Sequence, residues 1–350
     1  MLIVSFASGV YYRSKGHYDK AKSSKTIITV FFVSLMVLLC LRSPRVGIDT
    51  VNYIEKYFVP FHYRSWADVV KNSGGEVGFS LLVKLIASVS SNAQFFMAVV
   101  ALLTTIPIMI LYRNESKEAA VCCSFFMISL LFEFLFSGMR QGLALGLAVP
   151  AYYYTKKQKI IPFLLIVALA ASFHMSALIM LAIYPVYHAR ITVKWLWAVV
   201  PAMALIYRFN RPIFQLLFQA LGGKYFEKYS SLYGTTRQVG LLALFILLSV
   251  YCYVMLDEKK AEADDIGLRN LLLMATAIQF FAPLHSIVSR MNYYFILFIP
   301  LAVTRSSFKC RHMFWQIARL ASLVMSLFFL FYFFFLKGDT LRIMNYSFCF

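Results

Sequence analysis

The chain has 350 residues, 61% of them apolar and only 14% charged, and 34 Lys and Arg against 15 Asp and Glu give a formal net charge of +19. A soluble globular domain carries about 45–50% apolar and about 25% charged residues, which excludes a water-soluble enzyme, a disordered tail and a secreted disulfide scaffold. The basic residues stand in short stretches between apolar runs, as charges that fix membrane topology do, and a nucleic-acid partner is dropped for that reason.

Residues 1–12 carry neither the basic leader nor the small-residue cleavage site of a secretory signal and read as a short membrane segment. Apolar runs follow at 26–41, 93–112, 118–136, 142–155, 160–173, 175–188, 195–207, 238–256, 268–284, 292–304 and 318–336. A spanning helix needs about 20 such residues. The predicted fold is all-α: one polytopic membrane domain over 1–350, a bundle of about 11–12 transmembrane helices. The run 78–91 is short and holds Lys84 near its middle, costly in a lipid-facing span, so a re-entrant or interfacial helix is predicted there. Strict alternation then places 13–25, 113–117, 156–159, 190–194, 257–267 and 305–317 on the cytoplasmic side, each with Lys or Arg, as the positive-inside rule requires. Counting 78–91 as a span would instead put Lys156, Lys157, Lys159, Arg190 and Lys194 outside. Fusing 160–188 into one helix would overshoot a ~30 Å core at about 1.5 Å per residue.

The outer side collects two long loops, 42–77 and 208–237, and short turns at 137–141, 172–176 and 285–291. These turns hold Arg140, His174, His285 and Arg290, polar groups kept against the topology bias and therefore candidates for function. Arg140 and Arg290 each precede a predicted inward-running helix, whose positive dipole end points outward. An arginine fork beside free backbone N–H groups suits phosphate or diphosphate; the plainer reading is snorkelling to headgroups or pairing with a carboxylate. In the first loop Arg45 is a third candidate cation, Gly47 allows close backbone approach to a ligand, and Asp49 is either a site carboxylate or a helix cap. His174, sharing a face with Asp49, Glu76 and Glu133, is a general base, a positioner of an acceptor hydroxyl, or a hydrogen-bonded packing residue. His285, after Pro283, reads as a helix-end group. Tyr225, Tyr229 and Tyr233 form one stripe if helical, for stacking on sugars or for an interfacial aromatic belt.

The six cysteines lack the spacing of a metal or haem site. No nucleotide phosphate loop, His-Glu-x-x-His, Asp-x-Asp pair or nucleophile turn is present, and no cofactor or metal is expected. Chemistry outside the membrane without nucleotide needs a substrate already activated. A lipid-linked diphosphate sugar meets that condition.

Arg45-Val46-Gly47-Ile48-Asp49-Thr50 with Tyr53, Glu76-Val77-Gly78-Phe79, Met139-Arg140-Gln141, Phe173-His174-Met175-Ser176-Ala177 and Ser289-Arg290-Met291-Asn292-Tyr293-Tyr294 together resemble the EpsG-like group of bacterial polysaccharide polymerases. That group is similar to Wzy-type O-antigen and capsule polymerases, and the resemblance runs in order over residues 42–304. It implies a glycosyltransferase at the outer face of the bacterial inner membrane. The growing glycan would pass from undecaprenyl diphosphate onto the non-reducing sugar of another lipid-linked repeat, with a chain-length regulator protein as a partner and membrane lipid around the chain. Arg140 and Arg290 match the family arginines, His174 the Phe-His motif and Asp49 the Gly-x-Asp-Thr motif. The expected roles are diphosphate binding for Arg140, Arg290 and Arg45, and proton transfer for His174 or Asp49. Sugar contacts are expected from Gln141, Glu76, Tyr53, Tyr225, Tyr229 and Tyr293. The rival classes are an O-antigen ligase, a lipid-linked oligosaccharide flippase or transporter, and a structural subunit.

Overall fold

The computed structural model describes residues 20–116, 118–129, 131–209, 239–258, 260–282, 286–308 and 342–350, with a few isolated positions elsewhere. The N-terminal segment, Tyr225, Tyr229, Tyr233, His285 and most of the run 318–336 lie outside the described residues. Helices account for the architecture of the rest, joined by one isolated bridge between Arg42 and Phe348.

In chain order the helices are α1 (Lys20–Leu41), α2 (Val77–Val89), α3 (Ala93–Glu115), α4 (Ala119–Ile128), α5 (Met139–Lys156) and α6 (Ile160–Phe173). A 3₁₀ segment (Met175–Ala182) leads into α7 (Ile183–His188). Then come α8 (Val193–Arg208), α9 (Val239–Met255), α10 (Ala263–Phe281), α11 (Ser286–Ile296) and α12 (Ile299–Phe308). Within α1 and α3, Lys22–Leu41 and Ala93–Glu115 are each long and apolar enough to cross a bilayer. The chain is an all-α membrane bundle.

One apolar core joins α1, α3, α4, α5, α10 and α12, with Phe31, Phe32, Tyr112 and Phe126 forming an aromatic knot of edge and tilted contacts. A smaller core of Phe58, Phe61, Phe79, Val83, Phe96 and Met139 lies where α2 meets α3 and α5. It is covered by the chain between α1 and α2. That stretch, expected as a loop, is largely helical: Thr50–Tyr53, a π turn over Ile54–Phe58, Val59–Phe61, and Trp66–Lys71 capped by Ser65. Lys84 of α2 is buried, and its ammonium donates to the Phe61 carbonyl at 2.8 Å and lies 5.8 Å from the Trp66 ring centroid. The covering chain, rather than lipid, surrounds the charge that made this helix exceptional in sequence.

Two expected spans are broken. The run 118–136 divides into α4 and a short helix, Leu131–Phe134, before a turn. The run 292–304 divides between α11 and α12, because Pro300 has no N–H to give to Ile296 and its ring crowds that carbonyl. The Tyr112 hydroxyl donates to the Leu297 carbonyl at the break, at 2.7 Å. The chain also turns at His174 as expected, with extended backbone between α6 and the 3₁₀ segment.

A candidate active site at the Arg140 end of the bundle

Four separate stretches converge where α5 begins. Gly138 precedes α5, so Arg140 sits in its first turn, where the backbone N–H groups have no intrahelical acceptor. Glu76 stands just before α2 and His174 just after α6. Gly78 brings those two helix ends together: a Cβ there would lie 2.2 Å from Ser172 Oγ. One carboxylate then serves two partners. Glu76 Oε2 pairs with Arg140 Nη1, and Glu76 Oε1 lies 2.5 Å from His174 Nδ1. Burial pushes the Glu76 carboxyl up, but the His174 hydrogen bond and the Arg140 charge outweigh it and hold Glu76 below its ordinary value.

The Arg140 guanidinium is also walled by aromatic rings, with Tyr53, Tyr57 and Phe79 centroids at 5.5, 5.6 and 5.9 Å. Its Nε is buried without a hydrogen-bond partner. Tyr53, expected to meet sugar, is thus part of the wall, and burial raises its phenol against the opposing pull of Arg140. Pairing with a carboxylate, the plainer sequence reading of Arg140, is real but incomplete.

Arg290 requires a correction. It is the fifth residue of α11, not the residue before a helix, so no helix N-terminus stands behind it. It reaches the site through its backbone: Gln141 Nε2 donates to its carbonyl at 2.5 Å, while its side chain is exposed and its charge is felt at Tyr53. Gln141, expected to contact sugar, is buried in making that link. Tyr293 stacks on Phe134 at 4.2 Å, so one ring face is taken by packing. Asp49 begins the helical stretch at Thr50 but makes no capping bond; its carboxylate accepts from Ser137 Oγ at 3.3 Å.

Arg45 is exposed, and the buried arginine of this loop is Arg42, which sequence reasoning passed over. Arg42 Nη1 donates to the Phe136 carbonyl, and its Nε is without a partner beside a water-sized cavity shared with Thr104, Gly138 and Gly142. Gly47 also meets Phe136 rather than a ligand: at φ +91°, a Cβ would lie 2.0 Å from the same carbonyl. Arg42 and Gly47 therefore press on the turn that leads into Arg140. Only burial separates Arg42 from Arg45, and two arginines three residues apart give no sequence signal of it. Ser176, which meets the Tyr294 hydroxyl at 3.2 Å, ties the His174 turn to α11 and lay within the motifs already noted.

The EpsG family pattern matches residues 25–348. The chain belongs to the EpsG family. No curated protein and no solved structure matches it. EpsG membership gives the chain a polysaccharide-polymerase type of function, and the converging polar groups lie on segments inside the matched span.

The opposite end of the bundle holds a second charged cluster. Glu115 at the end of α3 pairs with Lys156 at the end of α5 and with Arg305 in α12. Lys156 also pairs with Asp264, and Arg305 Nη1 lies 3.4 Å from Asp265. The Tyr187 hydroxyl donates to Asp264 at 2.6 Å.

Proposed function

We propose that this EpsG-family chain is a metal-independent glycosyltransferase that polymerises undecaprenyl-diphosphate-linked oligosaccharide repeats at the outer face of the bacterial inner membrane. The observation that carries the reading is the meeting of Arg140, Glu76 and His174, from three distant motifs, at one end of the bundle. Under the topology read from charge, that end faces outward and the Lys156 cluster faces the cytoplasm. A nucleotide donor is scarce on the outer side, and a lipid diphosphate carries its own leaving group.

Arg140, assisted by Arg290, receives the negative charge that grows on the departing diphosphate, a role for pre-set donors in a site poor in water. The Arg140 side chain is 31% exposed, and its Nε has no hydrogen-bond partner. His174 takes the proton of the acceptor hydroxyl. The acceptor oxygen forms its bond to the anomeric carbon, the bond from that carbon to the phosphate oxygen breaks, and the electron pair leaves with undecaprenyl diphosphate. Direct displacement inverts the anomeric centre. Asp49 steadies the turn before Arg140 through Ser137. A chain-length regulator belongs to the same proposal as a partner.

The test is reconstitution of the purified protein in liposomes with a lipid-linked repeat and EDTA. A ladder of elongated products is expected. Transfer to a lipid A core alone would make the protein a ligase, and movement of the repeat across the bilayer without bond formation would make it a transporter.

A further inference from the structure

We propose that Glu76 is the positioning residue of this site. Through Oε1 it fixes His174 as the tautomer with its proton on Nδ1 and a lone pair on Nε2, and through Oε2 it orients the Arg140 fork. This rests on the polymerase reading for the substrate, and on geometry alone for the tautomer.

An ionised carboxylate only accepts hydrogen bonds. Arg140 is a permanent donor and occupies Oε2, so the group facing Oε1 at 2.5 Å must donate as well. That group is His174 Nδ1. In the neutral imidazole the other nitrogen is then the acceptor, and among the described residues Nε2 has no hydrogen-bond partner. Nε2 is thus the atom placed to receive a proton from an acceptor hydroxyl. The arrangement is built rather than fortuitous. Glu76 is only 8% exposed, the backbone of His174 is pinned through its N–H to Ala170 and its carbonyl to Ala177, and Gly78 is the contact that lets the two helix ends close to this distance. The guanidinium is held in turn by the Tyr53, Tyr57 and Phe79 wall. Glu76 touches neither donor nor acceptor sugar in this scheme, in contrast to the sugar contact its motif suggested.

The test uses the full-length protein with ¹⁵N-labelled histidine and the variants Glu76→Gln and Glu76→Asp. In the wild type the His174 signal should show an unprotonated Nε2, identified by its loss in His174→Gln. In Glu76→Gln the amide imposes no single tautomer, so the Nε2–H form should appear. Turnover should fall about 10²–10³-fold, with the KM for the lipid-linked donor changed less than threefold. Glu76→Asp, one methylene shorter, cannot bridge both partners and should keep one contact at the expense of the other, with intermediate turnover. A wild-type His174 carrying its proton on Nε2, or a Glu76→Gln protein with unchanged tautomer and turnover, overturns the proposal. The nitrogen spectrum needs no turnover, so a wild-type protein that shows the expected tautomer yet elongates nothing defeats the polymerase reading and leaves the Glu76 assignment standing.

Discussion

Arg140 and Lys156 stand sixteen residues apart on α5, roughly 24 Å at the helical rise, and each is the centre of a charged cluster. At the Lys156 end, Glu115, Asp264 and Asp265 are shared between Lys156 and Arg305, with a tyrosine hydroxyl filling a remaining site. Three carboxylates there are shared by two cations, which ties the ends of α3, α5, α10 and α12, although Arg305 Nε is left without a hydrogen-bond partner. At the Arg140 end a single carboxylate serves one guanidinium and one imidazole, and among the described residues His174 Nε2 is left over. A cluster rich in carboxylates neutralises its cations and holds helices; one with a single carboxylate and an imidazole nitrogen in reserve can hold something else.

The comparison breaks most severely if the two ends respond alike to loss of a cation. Arg305→Met removes the arginine that three carboxylates share and should lower stability by about 3–5 kcal/mol, the cost of uncompensated buried charge. Thermal unfolding in detergent should register this, with elongation per folded molecule unchanged. Arg140→Lys should do the reverse: charge is kept but the planar fork is lost, and turnover should fall about 10²–10³-fold with little change in unfolding temperature. Unchanged polymer length in cells would remove Arg140 from the site.

Smaller effects sharpen the contrast. Gly47→Ala forces a Cβ toward the Phe136 carbonyl at a positive φ and should cost about 1–3 kcal/mol, with a loss of turnover because the turn before Arg140 shifts. Glu76 has its folded value held below the unfolded one, so its contribution to stability is fully present above the ordinary carboxylate range of about 4 and is lost as pH falls through the lower folded value. Acid titration of stability should therefore lose this component in Glu76→Gln. Tyr57→Leu removes one ring from the arginine wall, worth about 0.5–1 kcal/mol, and should change donor KM only a few-fold.

Much of this could be read before any coordinates. The apolar runs gave the helices of the bundle, because a bilayer demands length and composition that sequence records directly. The turn at His174 followed from the same length limit. What escaped was pairing. The positive-inside rule counts cations and ignores carboxylates, so Lys156 and Arg305 read as topology markers, with no sign that Glu115, Asp264 and Asp265 would gather on them. Arg290 looked like a residue before a helix because the hydropathy run begins after it, whereas the polar residues Ser286 and Ser289 are helical too and Pro300 ends the run early. Glu76 was noticed, but a motif shows which residues are present and not which of them share an oxygen.

The buried bond from Lys84 to the Phe61 carbonyl has a mechanical corollary. It rivets the stretch carrying Tyr53 and Tyr57 to the helix that follows Glu76 and carries Phe79, so aromatic wall and carboxylate travel as one rigid body. Any movement of this body against α5 and α6 therefore loads the two contacts of Glu76, which span that seam.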